Sequence, residues 1–214
     1  MVLEIIIVIV VILLSMTIHE AMHAFMGYAL GDDTARQEGR LTLNPIRHID
    51  PFMTILLPLM MVLLHGPIFG GAKPVPFNPN RVRFGEWGAA LVALSGPITN
   101  LVIAFIVFGL GVICGIITSG GVIMPTIYGM VISTAVSVNL GFFIFNMLPI
   151  PPLDGSRILY AVAPEGVRVI MQKIEQQGAL LVLVLVLLFS GAVGQVMFGC
   201  TRAILHIFMM IFGV

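Results

Sequence analysis

Charged residues are scarce in this sequence. Only 9% of the 214 residues are charged, whereas a soluble domain usually carries about a quarter. Hydrophobic residues make up 59% of the chain, which is more than a soluble protein of this size needs. The composition therefore excludes an ordinary soluble domain and predicts a polytopic membrane protein that is surrounded by the lipid bilayer.

The sequence also has no excess of positive charge, and it has too few cysteines for a framework of disulfide bonds. Ten Lys and Arg are balanced by ten Asp and Glu, so no basic field is available and nucleic acid is not an expected partner. The two cysteines, Cys114 and Cys200, both lie among apolar residues. We interpret them as small hydrophobic fillers rather than as a disulfide or a metal-binding pair.

Long apolar runs contain most of the hydrophobic residues. Four runs approach or exceed the about 20 residues that cross a bilayer as a helix: residues 2–30, 87–118, 122–148 and 179–198. The first run has no basic residues at its start, which argues against a removable signal peptide. A final stretch, residues 203–214, is too short to span and is predicted to be interfacial or re-entrant. The expected fold is an all-α polytopic membrane protein with a single domain over residues 1–214.

Residues 31–86 differ from the rest because they hold most of the charges and many Pro and Gly residues. Within them, residues 51–65 are apolar but too short to span, which suits a re-entrant or surface-lying segment. Residues 39–43 alternate between polar and apolar in the manner of a strand. We therefore predict a small membrane-associated β or re-entrant region at about residues 35–66.

The distribution of basic residues predicts the orientation in the membrane. Six of the ten Lys and Arg lie in residues 31–86, and three more lie between the third and fourth runs. Basic loops favour the cytoplasmic side. The sequence therefore predicts an external N-terminus and places both charged loops in the cytoplasm.

A metal-binding motif lies in the first apolar run. The segment His19-Glu20-Ala21-Met22-His23 matches H-E-x-x-H. Residues four apart share one face of a helix, so both imidazoles can bind one zinc ion, with Glu20 beside its open position. The alternative is a fortuitous pair of buried histidines, but such side chains are costly inside a bilayer. We therefore predict a metal site.

A catalytic zinc usually takes three protein ligands, and Asp154 is the best candidate for the third. It follows the third apolar run, after Pro149, Pro151 and Pro152. These prolines cannot continue a regular helix, and extended backbone at membrane depth is tolerated only against protein or a polar cavity. A plain helix end followed by a turn explains the same residues about equally well.

Taken together, the motifs resemble those of the site-2 proteases, the intramembrane zinc metalloproteases, and especially their short prokaryotic members. The matching residues are His19 to His23, Gly39 to Pro51, Ala72 to Pro76, Ser95 to Asn100, and Asn146 to Gly155. The resemblance implies a catalytic core formed by the first three spans, with Asp154 as the third zinc ligand. It also implies that Asn146 positions the substrate or stabilises the reaction intermediate.

The expected activity is that of a zinc metalloendopeptidase with one zinc ion per chain. It would cleave transmembrane protein substrates with zinc-activated water and with Glu20 as the general base. Leu41 and Thr42, in the strand-like segment, are candidates for binding an unwound substrate by strand addition, although a purely structural hairpin is equally compatible. Asn100 either bonds within the helix core or contacts the substrate.

Two other classes of protein remain open at this point. Intramembrane His and Asp also mark the ion pathways of metal transporters. A transporter usually has repeated halves, and this sequence has no internal repeat. A non-catalytic membrane scaffold is the third possibility, and the complete set of metal ligands argues against it.

Overall fold

A computed structural model describes residues 2–50, 56, 73–119, 121–122, 126–177 and 190–214. In this part of the chain, four long helices alternate with short elements. The long helices are α1 (Val2–Ala29), α3 (Gly85–Ile113), α4 (Ile127–Asn146) and α7 (Ser190–Phe212). The shorter helices are α2 (Thr34–Gln37), a 3-10 turn (Pro45–Arg47), α5 (Gly155–Val162) and α6 (Glu165–Gln176).

All four long helices are long and apolar enough to cross a membrane. A helix rises 1.5 Å per residue, so about 20 residues match the ~30 Å hydrocarbon layer. Among the described residues, the only strands are β1 (Ile117–Thr118) and β2 (Gly121–Val122). They pair antiparallel, with Ile117 opposite Val122. The structure thus confirms the predicted all-α polytopic membrane fold.

The core consists of α1, α3 and α4, with α3 in contact with both of the others. The face of α3 that meets its neighbours consists of small buried residues, including Ala89, Ala93, Gly96 and Ala104. Small residues let membrane helices approach closely where no hydrophobic effect drives them together. Large apolar side chains such as Ile6, Leu14 and Ile106 point outward instead, as a lipid-facing surface requires.

The C-terminal helix differs from the prediction. Residues 190–212 form one continuous helix, whereas the sequence predicts a span at 179–198 and a separate stretch at 203–214. The separate stretch at 203–214 is wrong, because the helix continues through residues 198–203 without a break. The second half of α7 is anchored by Phe208 and Phe212, which pack on Phe105 and Phe108 of α3. Residues 178–189 lie outside the described part of the chain.

The loop after α1 also differs from the prediction. Residues 39–43 form turns and bends instead of a strand. Local hydrogen bonds occupy the groups that a strand would pair: the amide of Thr42 donates to the carbonyl of Arg40 at 3.0 Å. The carbonyl of Thr42 accepts from Nε2 of His48 at 2.8 Å. Of the predicted re-entrant residues 51–65, all except Leu56 lie outside the described residues.

A buried carboxylate ties this loop region to the end of α1. Asp32 accepts hydrogen bonds from the hydroxyl of Thr34 at 2.5 Å and from the amide of Asn78 at 2.6 Å. Burial favours the neutral form of Asp32, but the hydrogen bonds from Thr34 and Asn78, together with the charge of Arg81, hold its pKa below the usual range. The residues before α3 are therefore fixed beside the C-terminal end of α1.

Candidate metal centre

Two histidines from α1 and one aspartate from the segment after α4 meet at one point. Their metal-binding atoms lie within 4.8 Å of one another. Nε2 of His19 is 3.0 Å from Nε2 of His23. Oδ2 of Asp154 is 3.2 Å from the first nitrogen and 3.5 Å from the second. The structure thus brings together the three residues that the sequence predicts as metal ligands.

The backbone around Asp154 explains how a residue beyond α4 reaches α1. A Cβ on Gly155 would lie 2.4 Å from the carbonyl oxygen of Met147, so only glycine allows the chain to fold back so closely. Asp154 immediately precedes α5, where an aspartate commonly caps the helix. Here the side chain makes no capping hydrogen bond. The carboxylate faces the histidines instead, which argues against the plain turn that the sequence leaves open.

The surroundings of Asp154 favour the ionised form of its carboxyl group. Burial of the carboxyl disfavours its ionised form, but the neighbouring His23 and His19 rings counteract burial by charge and hydrogen bonding. The pKa of Asp154 is therefore held well below its usual range. An ionised carboxylate is the form that binds a metal ion.

Helix α3 orients both imidazoles through their Nδ1 atoms, which are the ring nitrogens that do not face the metal-binding point. Nδ1 of His19 lies 2.5 Å from Oδ1 of Asn100. Nδ1 of His23 lies 2.8 Å from the carbonyl oxygen of Val92. Outer hydrogen bonds of this kind fix the tautomer and the ring plane of a metal-binding histidine. Because Val92 faces His23 and Asn100 faces His19, α1 and α3 run antiparallel at the site.

A chain of buried amides determines which atom of Asn100 faces His19. Nδ2 of Asn139 donates to the carbonyl oxygen of Ala135 at 2.8 Å and to Oγ of Ser15 at 2.9 Å. Oδ1 of Asn139 therefore accepts from Nδ2 of Asn100, at 2.8 Å. This leaves Oδ1 of Asn100 to accept from Nδ1–H of His19.

The donor set fits a zinc ion. With Nδ1 protonated and a metal ion in place of the Nε2 proton, each neutral ring would direct the lone pair of Nε2 toward the point that it shares with Asp154. A proton can bridge only one pair of these three atoms, whereas a metal ion engages all three. Tetrahedral zinc with bonds of about 2.0–2.2 Å places neighbouring ligand atoms roughly 3.3–3.6 Å apart. The observed separations of 3.0, 3.2 and 3.5 Å are close to this spacing.

Gly96 provides the space for this arrangement. A Cβ at Gly96 would lie 2.6 Å from Nε2 of His23 and 2.7 Å from Nε2 of His19. Real Cβ atoms do not approach other atoms so closely. Val92, Gly96 and Asn100 follow at intervals of four residues, so they lie along one face of α3. On this face, the carbonyl oxygen of Val92 is the acceptor for His23 and Oδ1 of Asn100 is the acceptor for His19. Gly96, between them, leaves room for the two rings.

Glu20 lies next to the cluster and is 7% exposed. Its Oε2 accepts a hydrogen bond from the backbone amide of Val75 at 2.9 Å. Val75 belongs to the proline-rich segment that precedes α3. The carboxylate is thus fixed through one of its two oxygens.

The remaining predicted residues have different environments. Asn146 is the last residue of α4, and its Nδ2 donates to the carbonyl oxygen of Phe142 at 3.0 Å. Asn100 is fully buried and its side chain is committed to His19 and Asn139, so it does not face an open substrate groove. Leu41 packs on Ala24, Ala35 and Val75. Thr42 bonds to His48. Neither residue forms the free strand edge that the sequence predicts.

Several groups at the site were not assigned a role from the sequence, although Val75 and Gly96 lie in motifs that carry the family resemblance. These groups are Ser15, Val75, Val92, Gly96 and Asn139. Val75 and Val92 act through backbone atoms, which their side-chain identity does not reveal. Asn139 offered a signal, since an asparagine in an apolar span is costly unless it has a partner.

The role of Asn100 can be tested through metal affinity. Asn100→Leu should weaken zinc binding by about 10- to 100-fold, because the acceptor that orients His19 is lost. Thr99→Val is the matched control, since among the described residues the hydroxyl of Thr99 bonds only to the carbonyl of Ser95 in its own helix. Competition with a calibrated zinc chelator measures both affinities. Equal affinity of the two variants would exclude Asn100 from the site.

Comparison with known proteins gives the family. The model of peptidase family M50 matches residues 114–190. The chain is 40% identical over 189 residues to the Bacillus subtilis protein named "Putative zinc metalloprotease YwhC", with 83% of this chain and 78% of the relative covered. A Mycolicibacterium smegmatis protein with the same description, Rip2, is 32% identical over 179 residues, which cover 82% of this chain and 64% of the relative. No solved structure matches the chain.

A cluster of two histidines and one aspartate among helices that can span a membrane defines a multi-pass membrane metalloenzyme. The sequence relationships define it further: the chain belongs to peptidase family M50 and is a membrane-associated zinc metalloprotease. Its cofactor is zinc, and His19, His23 and Asp154 are the residues that would hold it.

Proposed function

We propose that this protease hydrolyses peptide bonds within or beside the transmembrane segments of other membrane proteins, with Glu20 as the general base. One observation carries the proposal: the three metal-binding side chains and Glu20 meet among helices that are each long enough to cross a bilayer. A protease that worked only on soluble peptides would have no need for this location. Transmembrane protein substrates are therefore the proposed partners.

In the proposed reaction, the zinc ion activates the water, and residues of the chain transfer protons and hold the ion. A bound zinc ion would supply an activated water, by lowering the pKa of that water to ~7. Glu20 takes the proton and later delivers it to the leaving amine. His19, His23 and Asp154 hold the ion, and Asn100 and the carbonyl of Val92 keep the two rings in position.

Asn146 is proposed to bind the carbonyl oxygen of the scissile bond as charge develops on it. It ends α4 on the same stretch of chain that leads to Asp154. Its amide now donates to the carbonyl of Phe142. The proposed role therefore requires a change of side-chain rotamer when substrate binds.

We also propose that the N-terminus lies outside and that the active site opens toward the cytoplasm. The histidines lie in the C-terminal half of α1. The chain after α1 carries Arg36, Arg40 and Arg47, and basic residues favour the cytoplasmic side. Metal transport is a weaker alternative, since Glu20 beside the ligands fits a catalytic base and the relatives are named as metalloproteases.

The proposal is tested by incubating the purified protein with a panel of single-span membrane proteins in detergent. We expect at least one to be cut inside or next to its span, and a zinc chelator to stop the cleavage until zinc is restored. A matched preparation of His23→Ala controls for contaminating host proteases. Cleavage confined to soluble domains, or cleavage that persists with His23→Ala, would contradict the proposal.

A further inference from the structure

The hydrogen bond between Val75 and Glu20 links the H-E-x-x-H motif to the motif at residues 72–76, which has no other role in the proposed mechanism. We define the strap as residues 73–76, Lys-Pro-Val-Pro. Prolines have no amide hydrogen, so among Pro74, Val75 and Pro76 only Val75 can donate a hydrogen bond from its backbone. This single N–H points at Oε2 of Glu20, at 2.9 Å, in a buried environment.

Arg40 holds the strap from the other side. Its Nη2 donates to the carbonyl oxygen of Lys73 at 2.5 Å and lies 3.3 Å from that of Pro74. Arg40 is only 6% exposed, and its Nε is buried without a hydrogen-bond partner among the described residues. The contacts of Nη2 therefore offset part of the cost of burying this guanidinium. Its contacts with the carbonyls just before Val75 fix the peptide that presents the N–H.

Two further contacts fix the strap in place. The amide of Lys73 donates to the carbonyl oxygen of His48 at 2.9 Å. The side chain of Val75 packs in a small apolar cluster with Ala24 and Ala35. Ala24 follows the second metal-binding histidine directly on α1, so the strap is seated on the same part of the helix that carries the catalytic groups.

We propose that the Val75 amide is a positioning group for Glu20, and that Arg40 acts through the strap to hold it. This inference rests on the proposed role of Glu20 as general base. A carboxylate that is anchored through Oε2 presents Oε1 in one direction, whereas an unanchored side chain samples several rotamers. Misplacement of a catalytic group by about 1 Å can cost about 100-fold in rate.

A matched pair of substitutions at one position isolates the hydrogen bond. Val75→Pro removes the N–H, and a proline suits the extended backbone that the neighbouring prolines already impose. Val75→Ala keeps the N–H and removes most of the side chain. The measurements are zinc per chain, kcat and KM on a single-span protein that the wild type cleaves. We expect Val75→Pro to lower kcat by about 10- to 100-fold with KM and zinc unchanged. Val75→Ala should lose clearly less, because it keeps the N–H and gives up only part of the packing on Ala24 and Ala35.

Arg40 gives a second test in case Val75→Pro does not fold. Arg40→Met should lower kcat in the same way and retain zinc. Arg40→Lys should recover part of the lost rate, because one ammonium can still reach a strap carbonyl. Wild-type kcat in Val75→Pro or in Arg40→Met would overturn the inference. So would equal losses in Val75→Pro and Val75→Ala, or loss of zinc in both Val75→Pro and Arg40→Met, since the strap would then support the fold rather than the base.

A Glu20→Gln variant in the same assay separates this inference from the proposed function. If Glu20→Gln is inactive while Val75→Pro is fully active, the strap has no positioning role but Glu20 remains essential. If Glu20→Gln cleaves at the wild-type rate, the proposed function fails, and the inference fails with it.

Discussion

Glu20→Gln should retain one zinc ion per chain and lose cleavage almost completely. Glutamine has the shape of glutamate and can still accept the hydrogen bond from Val75, but it cannot take a proton at neutral pH. General acid–base catalysis typically contributes 10²–10⁴-fold, and we expect a loss of about that size. Zinc analysis of the purified variant and its single-turnover cleavage rate are the two measurements.

Glu4→Gln is the matched control for this result. Glu4 lies in the first turn of the same helix, far along the chain from the histidines, so its replacement should leave zinc and rate unchanged. A Glu20→Gln variant that cleaves at a rate near wild type would remove Glu20 from the chemistry. A variant that loses its zinc would instead place Glu20 among the metal ligands.

Gly96→Ala should eliminate zinc binding although it adds only one methyl group. The new Cβ would lie 2.6 Å from His23 and 2.7 Å from His19, and neither ring can move away without losing its bond to Val92 or Asn100. The expected fall in zinc affinity exceeds the about 10- to 100-fold cost of losing one outer hydrogen bond, because both ligands are displaced. Zinc occupancy at limiting metal measures the effect.

Gly141→Ala provides the control for the helix itself. Gly141 is also a helical glycine, in α4, and a Cβ there would meet no atom of the described residues within 4 Å. It should bind zinc like the wild type. Wild-type affinity in Gly96→Ala would show that the histidines are not held against α3 as described.

The metal ligands could be predicted from the sequence because their signals are local. His19 and His23 are one helical turn apart, a spacing that fixes their relative position before any tertiary structure is known. Asp154 was identified as a rare acidic residue next to a proline-broken helix end, and the resemblance to site-2 proteases supported it. The structure adds the distances that join the three.

The groups around the ligands could not be predicted because they depend on long-range contacts. Val92 and Val75 contribute a carbonyl and an amide that every non-proline residue has, so their sequence contains no sign of the role. Asn100 was noticed as polar, but whether it faced His19 or a substrate depended on the rotation of α3 against α1. Only the packing of the two helices decides this.

The errors in the fold have a similar origin. The alternation at residues 39–43 predicts a strand, but Arg40 is instead buried against the strap. The separate stretch predicted at residues 203–214 is instead the second half of α7, and the packing of Phe208 on α3 and α4 holds it there. In both places, tertiary contacts overcome a weak local preference.

The central claim is that His19, His23 and Asp154 hold one zinc ion, and zinc-edge X-ray absorption of the purified protein tests it most directly. The structure predicts two imidazole nitrogens and low-mass oxygen scatterers at about 2.0–2.2 Å, in a four-coordinate site. In Asp154→Ala, the spectrum should lose one oxygen or the zinc itself. A sulfur scatterer at about 2.3 Å, or a wild-type spectrum in His19→Ala, would contradict the claim.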